Sequence, residues 1–235
     1  MVLFIVSLVV GGLLVPLATQ LEARQRNEAL LQLEQIREAL YGYAILEGKL
    51  PCYTTEDDPS AALYGEEDAT CNPASLTADG ILPWKTLGLA AGNDPWGAPR
   101  TASDANGGTW NGYWRYRVDG QFFSAFTLST DTDPASTIDI DSLNSSASAV
   151  GAPVFDVLTS SSERPVALIY STGSNLAADG QNSSYEPTVA PTYEGGNVSN
   201  LDRDGDGDED EFDDLMIWLT RPPLFSKMVT AGRLP

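Results

Sequence analysis

MVLFIVSLVVGGLLVPLATQL, residues 1–21, carries no charge, and EARQRNEALLQLEQIREALYGYAILEGKLPC, residues 22–52, follows it without a break. In the second stretch Leu30, Leu33, Ile36 and Leu40 step by three or four, continuing to Tyr43 or Ala44 and Glu47. Glu22, Arg24, Arg26, Glu28, Glu34, Arg37 and Glu38 take much of the remaining surface. That period predicts an amphipathic helix stopped by Gly48 and Pro51. If residues 1–47 form one helix, it is about 70 Å long at 1.5 Å per residue, and roughly half of it must project from any head it packs on. The projecting half is the apolar one, so a membrane or the same segment of neighbouring subunits must cover it. Roughly twenty apolar residues just span a bilayer. The segment has no basic region before it and no polar cleavage region after it, so it reads as retained and not as a signal peptide.

The 235-residue chain divides into the apolar half of the helix (1–21), its amphipathic half (22–50) and one head (51–235). Asp and Glu outnumber Lys and Arg 33 to 13, a net charge of −20. Such a surface repels phosphate backbones, which argues against nucleic acid as a partner and favours cations. Cys52 and Cys71 are the two cysteines and flank a polar, turn-rich stretch. One disulfide in an oxidising compartment is the expectation, worth about 3 kcal/mol by loop closure; two buried thiols are the alternative.

Beyond residue 52 the pattern is loop-rich, with a short helix expected near Pro83–Leu89. Tyr113–Val118 and Gln121–Leu128 read as strands joined at Asp119-Gly120, a two-residue hairpin signal. Val154–Leu158 and Val166–Ser171 read as further strands, Gly173–Asn200 as a surface excursion, and the end as an apolar LMIWL segment plus an amphipathic tail. The resulting fold class is α+β: a long N-terminal helix packed by its C-terminal half on a small antiparallel sheet with long loops.

The sharpest local motif is DRDGDGDEDEFDD, residues 202–214. Asp202, Asp204, Asp206 and Asp208 stand at positions 1, 3, 5 and 7, Gly207 at 6 and Asp213 at 12, the spacing of a calcium loop. Alternate carboxylates converge on one Ca²⁺ because the glycine permits the sharp reversal. The residues before it, YEGGNVSN (193–200), are no helix, so an EF-like loop is expected and not an EF-hand. The alternative is a solvated acidic loop. With no His in the chain, a Ser-His-Asp triad and a Cys-His pair are excluded. Trp84, Trp96, Trp110, Trp114 and Trp218 offer either core or a sugar-binding platform, and Asn144, Asn182 and Asn197 stand in N-x-S sequons, so a surface glycan is a candidate.

LEGKLPC (46–52), GILPW (80–84) with TLGL (86–89), DPWG (94–97) and FDDLMIWLTRPPLFSKMVTAGRLP (212–235) resemble one branch of the type IV pilin and type II secretion pseudopilin superfamily. The resemblance covers the chain ends and much of the middle, leaving about 129–200 uninformative. It implies a pilin-like fold, storage in the inner membrane, and extraction by a pilus or secretion assembly machinery into a homo-oligomeric helical filament outside the cell. Phe4, Val9, Gly11, Gly12, Leu14 and Pro16 would then lie in the filament core, and no residue would do covalent chemistry. The family usually begins with a methylated aromatic residue and has a Glu a few positions on, whereas this chain starts Met-Val-Leu-Phe and its first acid is Glu22. Pro16 matches the family's helix-loosening proline if about five residues are absent ahead of Met1. The rival expectations are a minor pseudopilin of a secretion pseudopilus and a membrane-anchored monomer that binds sugar or serves adhesion.

Overall fold

A computed structural model describes residues 2–70, 79–97, 112–132, 138–142, 155–156, 164–174, 192–195, 199–201, 210–211 and 214–234. Within the first helix, side-chain surroundings are described from Gln20 onward. That helix, α1 (Val2–Glu47), is a single run of 46 residues, and Gly11, Gly12 and Pro16 lie within it. Gly48 ends it in the left-handed region (φ 75°), its N–H donating to Ala44 O at 2.8 Å. A glycine makes that turn without the clash a Cβ would cause. The Arg233 guanidinium donates to Ile45 O and Leu46 O, two carbonyls that the helix end leaves without an intrahelical partner.

Among the described residues the strands are β1 (Gly80–Ile81), β2 (Arg115–Val118), β3 (Asp139–Ser142), β4 (Phe155–Asp156), β5 (Pro165–Ser171), β6 (Thr192–Gly195), β7 (Ser199–Leu201), β8 (Asp210–Glu211) and β9 (Leu215–Thr220), followed by α2 (Arg221–Thr230). The central sheet runs β1-β2-β5-β9 with every neighbour antiparallel. A long helix on a four-stranded antiparallel sheet is the α+β arrangement expected from the sequence.

The two faces of that sheet explain its residues. Side chains alternate along a strand, so Tyr116 and Val118, Ile169, and Leu215, Ile217 and Leu219 pack on the α1 side. Leu168, Tyr170, Met216 and Trp218 point the other way and meet Ile138, just before β3, and Ile140 within it. A register shift between Pro165 and Ala167 lets the consecutive Val166 and Ala167 both join the α1-side core. Covering both faces accounts for the unbroken apolar run of β9. β3 itself pairs antiparallel with β4 and parallel with β6 in a second sheet.

Three expectations are corrected. Asp119-Gly120 does not join a hairpin: β2 pairs with the distant β5 instead. Asp119 O accepts the Phe122 N–H at 3.0 Å and Asp119 Oδ1 accepts the Gln121 N–H at 2.9 Å, folding 119–122 into a turn. Phe122 and Phe126 then leave the sheet and stack near Phe225 of α2, at 6.2 and 5.7 Å between ring centroids. All three rings are buried there. In α1 the buried stripe is Ala29, Leu33, Ile36, Leu40 and Ala44, whereas Leu30 is 45% exposed. Leu30 lies on the flank of that stripe that also carries the buried Tyr41, and this flank is covered at the height of Tyr41 but open at the height of Leu30. Tyr43 is half-buried and Glu47 exposed. The helix expected near Pro83–Leu89 is a single turn, with Leu87 N–H on Pro83 O and Leu89 N–H on Trp84 O, closed by Gly88 at φ 71°.

Candidate assembly surface

Gln20, Leu21, Glu22, Ala23 and Arg24 are all exposed. Five consecutive helical residues, 100° apart, sample the whole circumference, so the head covers α1 on no side at this level. The contact of the described residues nearest the N-terminus is from Gln25 Nε2 to Pro95 O at 3.1 Å, and burial begins at Ala29. The backbone of α1 continues as helix from this neck to Val2, about 30 Å further. Among the described residues no helix is long and apolar enough to cross a membrane. The side chains of 1–19 lie outside that description, and with them those of Phe4, Val9, Gly11, Gly12, Leu14 and Pro16.

At the C-terminal end of α1 one carboxylate fastens the chain to the head. Glu67 accepts the Tyr43 hydroxyl at 3.0 Å, Lys49 Nζ at 3.2 Å and the Cys52 N–H at 3.2 Å, so the stretch after Cys52 is tied to the helix exit. Burial and then the hydrogen bond to Glu67 push the Tyr43 phenol well above its ordinary range. Cys52 is buried and is no free thiol. Cys71 lies outside the described residues.

A groove of about 160 Å³ opens between α1 and the segment 89–93, lined by Gln32, Gln35, Ile36, Leu89, Ala90, Ala91, Asn93 and Trp114. Trp114 Nε1 donates to Gln32 Oε1 at 3.3 Å, which fixes the indole against the helix. Behind it Trp84 is held edge-on by Tyr64 at 4.7 Å and stacked on Tyr113 at 6.1 Å. Gly92 passes so close that a Cβ there would stand 2.2 Å from the Trp84 ring. Trp84 and Trp114 are therefore core, unavailable for stacking on sugar, and Trp110 lies outside the described residues. On the far face of the sheet Arg115 Nη2 pairs with Asp79 Oδ2 at 2.7 Å, and Tyr170 Oη donates to the same oxygen at 3.0 Å. This charge pair is buried and hydrogen-bonded, a structural clasp.

The acidic motif is reached only at its edges. Asp202, Asp204, Asp206, Asp208 and Asp213 lie outside the described residues, as do Asn144, Asn182 and Asn197. β7 and β8 pair antiparallel with Leu201 opposite Asp210, so the backbone positions on either side of 202–209 lie side by side. Strands, not helices, bracket the loop.

Sequence reasoning missed the groove and the exposure of Leu30 and Leu31. The Leu-Leu doublet itself was a signal, because side chains 100° apart are hard to seat in one narrow stripe. Nothing in the sequence near Gly92 announces its approach to Trp84, which depends on how the intervening turn folds back. No protein-family model, no curated protein and no solved structure matches the chain.

Proposed function

We propose that this chain is a structural subunit of a pilin-like helical filament on the cell surface, anchored in the inner membrane through residues 1–21 before assembly. One observation carries the reading: the neck at Gln20–Arg24 is bare on every side within an unbroken 46-residue helix. A helix that is bare at Gln20–Arg24 and whose backbone runs on to Val2 needs a cover that the head does not supply at the neck. Its extension is the uncharged sequence 1–21, whose burial from water is worth roughly 25 cal/mol per Å². Identical helices bundled at a filament axis supply that cover, and so does lipid before assembly. Passage from one to the other then costs little, and an assembly machinery need only extract and stack the subunits. The acidic heads face water.

Within this reading Asp202, Asp204, Asp206, Asp208 and Asp213 hold a structural Ca²⁺ that secures the β7–β8 region, and Cys52 pairs with Cys71. The ladder between β7 and β8 supports the first, because it holds the ends of the acidic loop together. Electron microscopy of full-length material tests the whole: ordered filaments with a helical core are expected, and persistent lone protomers would end the reading. EDTA is expected to lower the Tm of the full chain, with recovery on added Ca²⁺; an unchanged melt removes the metal from the account. Non-reducing mass spectrometry should recover a Cys52–Cys71 peptide, and free thiols would refute the pairing.

A further inference from the structure

Leu30 and Leu31 form an exposed apolar doublet on α1, 45% and 66% accessible. Gln32 and Gln35, in the next turn of the same helix, line the 160 Å³ groove. Leu30 and Gln32 are roughly 160° apart around the axis, so Leu30 and the groove lie on opposite flanks of the buried stripe, with Leu31 on the outer face between them. Their heights differ by about 6 Å along the helix, taking the middle of the groove at residue 34.

The described residues lining the groove are uncharged, on a chain that carries 33 acids and a net charge of −20. Like-charged copies repel wherever their acids meet, so they approach most easily at a patch that has none. The groove is floored by Ile36, Leu89 and Trp114, flanked by the small Ala90 and Ala91, and of a size to accept one aliphatic side chain. The occupant it fits is a second copy's leucine doublet.

We infer that Leu30, flanked by Leu31, inserts into the groove between α1 and residues 89–93 of the next copy, so that these two surfaces set the lateral contact between heads. The inference rests on the filament reading and names the surface by which its subunits meet. A knob on one flank and a hole on the other make a heterologous contact, and one with an axial step does not close into a ring. It propagates as a helix.

The test uses the full chain with Leu30→Asp and, separately, Ala91→Glu. Both positions are exposed, so each variant is expected to keep the parent's Tm and circular dichroism. Sedimentable polymer should fall at least tenfold in each. In the double variant Leu30→Cys/Ala91→Cys, mild oxidation of assembled material should give a ladder of covalent multimers that neither single cysteine variant gives. Wild-type polymer formation with both charge variants unaffected, or no ladder, overturns the knob-and-groove contact alone. A parent chain that never polymerises overturns the filament reading as well.

Discussion

Helix α1 contains two stretches made of similar residues that meet opposite fates. From Ala29 to Ala44 a stripe of small and branched side chains disappears under the sheet, while from Gln20 to Arg24 the helix stands bare on every side. Both stretches mix apolar residues with Glu and Arg. Leu21 and Leu33 are the same residue on the same helix; one is 57% exposed and the other fully buried. What separates them is the reach of the head, which ends near the Gln25–Pro95 contact. The helical backbone is thus continuous along α1, whereas its stabilisation by packing on the head is not.

The largest effect should come from the packed stretch. Leu33→Ala removes a fully buried side chain and leaves a space that α1 and the sheet cannot easily close. It is expected to cost about 2–5 kcal/mol in denaturant unfolding. A loss below about 1 kcal/mol would mean the stripe is looser than its burial implies.

Gly92→Ala comes next. The added Cβ meets the Trp84 ring, which Tyr64 and Tyr113 hold in place, so a loss of about 1–3 kcal/mol is expected. Thermal melts of Gly92→Ala and Gly42→Ala form a matched pair, since a Cβ at Gly42 meets nothing within 4 Å. Equal melts for the two would contradict the close approach at Trp84.

Raising the pH probes the head without mutation. Burial pushes the Tyr43, Tyr113 and Tyr116 phenols above the ordinary value of about 10. Above that value the unfolded chain gives up phenolic protons that the native chain still holds, so native stability is intact below pH 10 and falls as pH rises beyond it. Tyr116→Phe should make that fall shallower, because the fully buried Tyr116, whose hydroxyl donates to Pro51 O at 3.0 Å, no longer titrates. An unchanged alkaline slope in this variant would remove Tyr116 as a contributor.

Leu21→Ser should do least. Its side chain is exposed in the bare neck, so the melting of the head should stay within about 0.5 kcal/mol of the parent. A large loss would place Leu21 against the head and erase the contrast between the two stretches.

Much of this fold was legible in the residues. Leu33, Ile36 and Leu40 announced the buried stripe, Gly48 and Pro51 its end, and the strands of VALIYS and LMIWL stand where their apolar runs are. The hairpin at Asp119-Gly120 was misread because the local turn signal is the same whether the chain returns as a strand or dives into an aromatic cluster. Phe122 and Phe126 chose the cluster, and their partner Phe225 is about a hundred residues away. The Leu30 assignment failed for a similar reason: periodicity fixes the spacing of a stripe more firmly than its width.

Local chemistry alone set the helix, its uncharged leading segment, the acidic loop and the alternation along the strands, because each depends on residues a few positions apart. The partnership of β2 with β5, the bare neck and the groove beside Trp114 were decided only when distant segments met. Those features arise from where the head stops and which surfaces it covers, and burial of that kind is a property of the assembled fold that no short window of residues contains.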